Sequence, residues 1–507
     1  MSKVGQNPIL LGIAWTYFGV ILQGILKLFS LGILARLINP DQFGLLSCAL
    51  ICTGLVERLG QLGIGPTLVQ RRILTHQSVY VARRLTLVLG IVAGSVVFFT
   101  SDACARFFNQ PELRDVLRVL SLGCLLEACA VVPDALLQRR LAFKQIVAAD
   151  NRSYVVGMVL VCPLLAWQGF GVWALVYSMI LMKAIRWILL AMTAPRRGIV
   201  GRWSFSKARE ILDVGLGFSL ARILNCVSLQ GDNFVVGKMF GVDVLGLYTR
   251  GYQLMTLPAI FLGQIYERVM FPAMAKLQLE ESILNQQFLL SIEVMTLIAL
   301  PASVVTSLCA EEIVSVVFGE RWLGVVPIVS VLSYGVFFRT TYKCSDTVVR
   351  AKGAVYVYAL RQGLYGVFVL GGALIGASIS GSVGVAWGVV VAVALNYISL
   401  TLLAKQLIDT SFIDLIRAHV PGFALFLWCW MGLAVYLPLV REYCLQPFFG
   451  GVVTLLLSLV VWGTGALLIL ALSIGRVSVL CKKMVSEGTV NLRKIPLVNR
   501  WRDRRAA

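Results

Sequence analysis

Apolar runs of about 20 residues, separated by short polar segments, recur along the whole of this 507-residue chain. A helix of that length spans the hydrocarbon core of a bilayer. Charged residues make up 14% of the chain, and the mean hydropathy is +0.84, whereas soluble proteins carry about 25% charged residues. The alternating pattern of an outer-membrane barrel is absent. The sequence therefore predicts an all-α, polytopic integral membrane protein with about 14 transmembrane helices.

The first apolar run, from about Ile9 to Leu37, bears on processing of the chain. It is too long for the apolar core of a cleavable signal peptide, and no small-residue cleavage site follows it. We expect it to remain as the first membrane span.

Lysine and arginine are distributed unevenly between alternate loops. The chain has 45 of them against 25 acidic residues, a formal net charge of +20. One set of loops carries roughly 30 of these bases and the opposite set about 5, which by the positive-inside rule places both termini in the cytoplasm. The basic set comprises Arg71–Arg72, Arg83–Arg84, Arg139–Arg140, the stretch 196–209, Arg350 with Lys352, and the tail beyond Arg476. We therefore interpret the basic excess as a topological signal and not as a nucleic-acid surface.

Two weak internal repeats divide the chain. The segment 41–45, DQFGL, recurs 202 positions later as DVLGL, and the segment 115–138 resembles 327–350 at an offset of 212. Both members of each pair occupy the same topological position in a six-span half. We therefore predict two parallel six-helix lobes related by a pseudo-twofold axis along the membrane normal, plus two C-terminal helices. The predicted divisions are an N-terminal lobe at 1–195, a basic cytoplasmic linker at 196–212, a C-terminal lobe at 213–405, two extra spans at 406–475 and a basic cytoplasmic tail at 476–507.

Charged side chains interrupt the apolar spans. Arg339, Lys343, Asp346 and Arg350 step by four, three and four residues, so they share one helical face. Such a stripe is costly in lipid and should face the interior of the bundle. The candidate cavity cations are Lys27, Arg58, Arg222, Arg250, Arg339 and Lys343. Cations without acidic partners would cost several kcal/mol in a dry interior, so we expect a water-filled cavity that binds an anion such as a phosphate or diphosphate.

Ion pairing between helices is the alternative role for membrane-depth charges. It is favoured for Arg36, Glu57 and the pair Glu267–Arg268, which lie near span ends. Glu127, Asp232 and Glu293 are candidates for coupling to a proton or sodium ion. Their alternative role, as partners of the interior bases, stays open. No catalytic residue, metal site or bound cofactor is predicted.

Several segments resemble the polysaccharide transport family of the multidrug/oligosaccharidyl-lipid/polysaccharide exporter superfamily. They include 35–45, ARLINPDQFGL, then 62–72, LGIGPTLVQRR, and 136–144, LLQRRLAFK. The run 171–176, GVWALV, and the segments around Asp232–Asn233 and 245–250, LGLYTR, continue the pattern. In order and spacing these segments cover about residues 10 to 400. The resemblance is greatest to Wzx-type lipopolysaccharide and exopolysaccharide flippases of the colanic-acid exporter branch.

The resemblance implies two six-helix lobes arranged in a V around a central cavity. It also implies a bacterial inner-membrane protein that turns undecaprenyl-diphosphate-linked oligosaccharide units from the cytoplasmic to the periplasmic leaflet. Alternating access coupled to an H⁺ or Na⁺ gradient is the expected mechanism, with a polymerase and other polysaccharide assembly proteins as candidate partners. The family has no universal catalytic motif. The candidate residues above therefore come from charge and helical face, although Asp232 and Arg250 lie inside resembling segments.

Two other functions are alternatives to that of a lipid-linked oligosaccharide flippase. A cation-coupled multidrug exporter would need an acidic binding site, which the basic interior argues against. A polysaccharide polymerase or ligase would carry a large external loop. The longest external loop expected here, near Ser101 to Asp115, has about 15 residues. We therefore expect a transporter and not an enzyme.

Overall fold

The computed structural model describes residues 8–71, 74–195, 198, 201–278, 280–353, 355–443, 447–472 and 474–478. No strand occurs within these segments. The helices of the first half are α1 (Pro8–Leu37), α2 (Pro40–Gly60), α3 (Ile64–Gln70), α4 (His76–Phe108), α5 (Leu113–Arg139), α6 (Phe143–Tyr154), α7 (Cys162–Trp167) and α8 (Val172–Thr193). Those of the second half are α9 (Phe205–Lys276), α10 (Glu281–Leu308), α11 (Ala310–Val317), α12 (Val326–Ala351), α13 (Val355–Leu407), α14 (Phe412–Tyr443) and α15 (Pro447–Leu472). A π-helical segment, Val155–Val161, joins α6 to α7, and a 3₁₀ segment, Glu320–Val325, precedes α12.

Helices α9 and α13 are hairpins with two arms each. In α9 the break is Gly241, whose φ of 83° suits a residue without a Cβ. Asp232 and Tyr248, on either side of it, share a hydrogen bond. In α13 the break is at Ser380–Gly381, and the backbones of Gly376 and Gly384 lie against each other. Each helix therefore turns back on itself and supplies two antiparallel arms.

The described helices confirm the all-α membrane class. By length and composition, nine stretches within the described residues are long and apolar enough to cross a bilayer. The prediction of about 14 spans counts additional helices and hairpin arms, and this number stays a prediction.

The structure contradicts the prediction of one loop. The chain was predicted to form a loop of about 15 residues near Ser101 to Asp115, but α4 continues to Phe108 and α5 begins at Leu113. Asn109 ends α4 in the left-handed conformation, with φ 54°, which asparagine tolerates better than most residues. A longer connection, 309–325, lies between α10 and α12 and contains α11 and the 3₁₀ segment.

The predicted linker at 196–212 is partly helical. Ser204 accepts a hydrogen bond from the Lys207 amide and caps the first turn of α9. Glu210 then pairs with Arg71 at 3.1 Å. The start of α9 is therefore attached to the N-terminal lobe before the chain enters the second lobe.

The two lobes meet where α2 packs against the second arm of α9. A Cβ on Gly44 would lie 1.7 Å from the Val242 carbonyl oxygen, and one on Gly246 would lie 1.9 Å from that of Pro40. Three residues further on, the hydroxyls of Ser47 and Thr249 are 3.1 Å apart. Gly44 and Gly246, like Ser47 and Thr249, are separated by 202 positions, the offset of the first sequence repeat. Equivalent residues that touch each other lie on a symmetry axis, so the pseudo-twofold axis passes through this contact.

Further contacts join the lobes at the same end of the bundle. The Trp322 indole donates to the Ala35 carbonyl at 2.6 Å, and Arg36 donates to the Val316 carbonyl at 3.1 Å. Lys238 donates to the Phe107 carbonyl at 2.6 Å. We call this the joined end. The opposite end, which carries Arg139 and Lys352, is called the basic end.

Helices α14 and α15 pack on the C-terminal lobe. Gly422 of α14 lies against Thr296 of α10, where a Cβ would approach a Thr296 methyl carbon to 2.3 Å. Gly451 of α15 lies against Val316 of α11. Many of the large apolar side chains of both helices are exposed, among them Leu427, Val435, Leu456 and Leu467. These faces suit the hydrocarbon of a bilayer.

Replacing Gly44 with alanine tests the contact at the axis. The added methyl group would overlap the Val242 carbonyl, so we expect a loss of about 1–3 kcal/mol of stability and a lower unfolding midpoint in detergent. Gly54 is the matched control, because it lies in the same helix and a Cβ there meets nothing within 4 Å. Gly54→Ala should keep or raise the midpoint, since alanine favours helix more than glycine. Equal midpoints for the two variants would contradict the close contact.

Candidate functional site

The N-terminal lobe holds a network of paired charges. Lys183 of α8 donates to Glu57 of α2, as expected for a pairing role of Glu57. One turn away on α8, Arg186 lies 2.7 Å from Asp150 and 2.8 Å from Asp134. These pairs link α2, α5, α6 and α8 and neutralise both bases.

Glu127 is drawn into the same network. One of its carboxylate oxygens lies 3.9 Å from an Arg186 nitrogen. This favours the role of ion-pair partner, which the sequence left open, over that of a free coupling site. Lys183 and Arg186 were not among the sequence candidates. Their i,i+3 spacing on an otherwise apolar span was the signal that could have identified them.

The C-terminal lobe holds the equivalent network on α12. Glu267 of α9 accepts from Lys343 at 3.2 Å and from Arg350 at 2.6 Å. Asp346 adds a second contact to Arg350 at 2.9 Å. The predicted pairing role of Glu267 is confirmed. Lys343, a predicted cavity cation, has an acidic partner that it shares with Arg350.

Three other membrane-depth cations differ from these. Lys27, Arg250 and Arg339 have no carboxylate oxygen within 4 Å in the described part of the chain. A buried positive charge without an anion is costly. These three are therefore the residues whose environment most favours an added anion.

Arg339 lies within the C-terminal lobe among tyrosines. One terminal nitrogen donates to the Tyr252 hydroxyl, and the guanidinium carbon lies 4.8 Å from the centre of that ring. The other terminal nitrogen, Nη1, is buried and has no hydrogen-bond partner. Cation–π contact compensates a buried arginine only in part. The unused N–H groups remain available to an oxyanion.

Arg250 lies between the lobes. Its guanidinium carbon is 3.9 Å from the centre of the Phe43 ring of α2, and its Nη1 donates to Gln253. Its Nε is buried without a hydrogen-bond partner. Arg250 thus faces the N-terminal lobe, whereas Tyr252, two residues later, faces Arg339.

Lys27 approaches the same junction from α1. Its carbonyl accepts from the Ser30 hydroxyl at 3.1 Å, and that hydroxyl lies 2.6 Å from the Tyr154 hydroxyl. Tyr154 is an electrostatic neighbour of Arg250. Asp150, an acid that acts electrostatically on Lys27, is bonded to Arg186. The contact between Ser30 and Tyr154 therefore joins α1 to α6 one turn from Lys27, and Tyr154 acts electrostatically on Arg250 of α9.

The remaining candidates have different environments. Asp232 is 1% exposed, accepts from Tyr248 at 3.0 Å, and has one oxygen, Oδ1, without a hydrogen-bond partner. Glu293 accepts from the backbone amides of Arg476 and Val477 at 3.0 and 2.8 Å, so it anchors the chain after α15. The side chains of Arg58 and Arg222 lie outside the described residues.

The chemistry of the candidate site comes from its charged and hydroxyl side chains. In the segments that the structure describes, no three His, Cys, Asp or Glu side chains converge to hold a metal ion. The site consists of cations, tyrosine hydroxyls and one buried carboxylate. Such groups can bind and release an anion, and the Asp232 carboxylate can take up a cation or a proton.

Curated relatives match most of the chain. It is 26% identical to the lipopolysaccharide biosynthesis protein WzxC of Escherichia coli (strain K12), over 79% of this chain and 82% of that protein. It is 24% identical to the teichuronic acid biosynthesis protein TuaB of Bacillus subtilis (strain 168), over 68% and 72%. It is 25% identical to the succinoglycan biosynthesis transport protein ExoT of Rhizobium meliloti (strain 1021), over 65% and 66%.

Solved structures with the same fold include two transporter types. A lipid II flippase MurJ in an inward closed conformation superposes with a TM-score of 0.74 at 11% identity, covering 92% of this chain and 100% of that one. An inward-facing multidrug resistance MATE family transporter of the MOP superfamily gives 0.62 at 18% identity, covering 76% and 94%. At these identities the likeness shows the fold alone. The family profile "Polysaccharide biosynthesis protein" matches residues 33–327, more than half of the sequence, so the chain belongs to the polysaccharide biosynthesis protein family.

Proposed function

We propose that this protein is a flippase for undecaprenyl-diphosphate-linked oligosaccharide repeat units in polysaccharide assembly. The observation that carries the proposal is a group of three membrane-depth cations, Lys27, Arg250 and Arg339, that have no carboxylate oxygen within 4 Å among the described residues. A diphosphate supplies the missing negative charge. Arginine binds its oxygens through forked hydrogen bonds, and lysine binds them as a point charge. Relatives named for lipopolysaccharide biosynthesis and succinoglycan transport, and the fold shared with a lipid II flippase, support the same assignment.

The positions of the three cations suggest a route for the headgroup. Lys27 and Arg250 lie where the lobes meet, and Arg339 lies deeper in the C-terminal lobe. Lys343, shared with Arg350 on Glu267, is closer to the basic end. A headgroup that enters from the basic end meets Lys343 first, then Arg339, then the Tyr154 junction. The lipid tail stays in the bilayer throughout, and no covalent bond is formed or broken.

The proposed orientation of the protein in the membrane comes from the charge distribution of the loops. In the proposed orientation the basic end and both termini face the cytoplasm, and the joined end faces the periplasm. The protein then lies in the inner membrane with its lobes joined on the periplasmic side. Export requires the lobes to separate at the joined end and approach each other at the basic end.

Asp232 is the proposed site of ion coupling. It is buried, has a free oxygen and lies within the electrostatic range of Arg339. A proton or sodium ion bound here would change the charge beside the headgroup site. Glu127 and Glu293 are weaker candidates because Arg186 and two backbone amides already bind them.

A multidrug exporter of the same fold is the alternative. Such a transporter would bind cationic compounds, and a positively charged site repels them. These three cations, which have no ion-pair partner in the described part of the chain, therefore favour the lipid-linked anion over a drug cation.

Arg339→Ala tests the proposed anion site. The variant removes the guanidinium and leaves Tyr252 in place, so we expect export to fall at least tenfold with a normal amount of protein in the membrane. The measurement is surface polysaccharide in a deletion strain that carries the variant gene. Lys352→Ala is the matched control, because Lys352 follows directly after the same helix at the basic end and pairs with the exposed Glu281. Full complementation by Arg339→Ala would exclude Arg339 from the site.

A reversible crosslink at the axis tests alternating access. In a Ser47→Cys/Thr249→Cys variant the two thiols would replace hydroxyls that are 3.1 Å apart. Oxidation should join the lobes and stop export, and a reductant should restore it. The two single-cysteine variants, treated in the same way, should remain active. Continued export with the crosslink fully formed would show that the lobes do not separate here.

A further inference from the structure

A cavity lies at the joined end, apart from Lys27, Arg250 and Arg339. Its volume is about 310 Å³, within the range of small-molecule sites. It opens between α11, the 3₁₀ segment and helices α14 and α15. The lining polar groups are Glu311, Glu312, Ser315, Glu320, Arg441 and Thr454.

Close helix packing builds one wall of this cavity. A Cβ on Gly451 would lie 2.7 Å from a Val316 methyl carbon and 3.3 Å from the Glu312 carbonyl oxygen. The absence of a side chain at Gly451 therefore lets α15 approach α11. Leu323 and Val440 add apolar surface to the lining.

Glu312 is a buried charged residue in the lining of the cavity. The residue is 8% exposed. Its Oε1 accepts from Arg441 at 2.8 Å, whereas its Oε2 is buried and has no hydrogen-bond partner. An unsatisfied buried carboxylate oxygen costs free energy that a hydrogen-bond donor would recover.

The charges and hydrogen-bonding groups of the lining define the missing ligand. Three glutamates face one arginine, so the lining carries a net charge of −2. Arg441 is already shared between Glu312 and Glu311, the latter at 3.4 Å. The Ser315 hydroxyl donates its proton to the Glu312 carbonyl and can only accept from a ligand. The cavity is therefore rich in acceptors and poor in donors.

We propose that this cavity binds a small organic cation, a primary ammonium compound that carries hydroxyl groups. The ammonium group donates to the free Oε2 of Glu312, and the hydroxyls contact Ser315, Thr454 and Glu320. The volume is much larger than a single metal ion needs. In the described part of the chain no three-residue metal cluster occurs.

The cavity adjoins the contacts between the lobes. Val316 and Val317 of α11 lie against α1, where Arg36 donates to Val316 and Gly32 approaches the Val317 carbonyl. Trp322, adjacent to the lining residue Leu323, bonds to Ala35. The cavity therefore lies next to the surface that alternating access must open. Because it is separate from the Arg339 site, ligand binding to it can be measured independently.

Glucosamine is a suitable probe, and N-acetylglucosamine is its control. The two sugars share most of their hydroxyls, but acetylation removes the ammonium charge. With the full-length protein in nanodiscs of phosphatidylcholine, calorimetry should show saturable binding of glucosamine and at least tenfold weaker binding of N-acetylglucosamine. Equal binding of the two sugars, or no saturable binding of glucosamine, would overturn the proposal.

Glu312→Gln and Thr454→Val assign the binding to this cavity. Glu312→Gln keeps the shape and removes the charge, so it should weaken glucosamine binding at least tenfold. Thr454→Val keeps the shape and removes only a hydroxyl, so it should weaken binding less. Glu281→Gln, at the basic end, should leave binding unchanged. If Glu312→Gln unfolds, Thr454→Val alone tests whether glucosamine binds in this cavity. If Thr454→Val then binds glucosamine as tightly as the wild type and Glu281→Gln do, the ligand binds elsewhere.

Discussion

Positive charge within an apolar bundle is the constraint on which this structure depends. A membrane interior offers little water to solvate a charge, so each base needs an acid, an aromatic face or a ligand. Lys183 and Arg186 have acids in the N-terminal lobe, and Lys343 and Arg350 share one in the C-terminal lobe. These pairs link helices within each lobe, so each lobe holds an ion-pair network of its own.

The three cations outside these networks follow a different pattern. Arg250 and Arg339 lie against aromatic rings and keep unused N–H groups, and Lys27 faces an acid that Arg186 already occupies. Two of them lie at the junction of the lobes. The contacts of a ligand bound there would depend on the relative position of the lobes, because both lobes supply them. This arrangement couples headgroup binding to the movement that export requires.

The pseudo-twofold axis gives that movement a defined pivot. Gly44 faces Gly246, so the two copies of the repeat touch there without a side chain between the backbones. One turn further on, the hydroxyls of Ser47 and Thr249 face each other. The contact is close but rests on a small number of polar bonds. Such an interface can be stable in one conformation and still separate when a ligand binds the other conformation more tightly.

The sequence predicted the fold more completely than the site. Apolar run length and the internal repeats predicted the helical class and the two related lobes, because both are local or periodic signals. The contact of Gly44 with Gly246 at the axis was not predicted. Pairing depends on which helices become neighbours, and this is not a local property. From the sequence, Lys343 was therefore predicted to be a cavity cation. Its acidic partner, Glu267, lies 76 residues away in the chain. The sequence also missed Lys183 and Arg186, and it could not foresee that Glu293 would bind backbone amides beyond α15.

The most direct test of the central claim follows the lipid-linked unit itself. In a strain that lacks this gene, undecaprenyl-linked oligosaccharide is measured separately in the cytoplasmic and periplasmic leaflets, together with surface polysaccharide. The flippase account predicts that intact units accumulate on the cytoplasmic leaflet and that the surface polymer disappears. Units that still reach the periplasmic leaflet, in a strain without a second flippase for them, would contradict it.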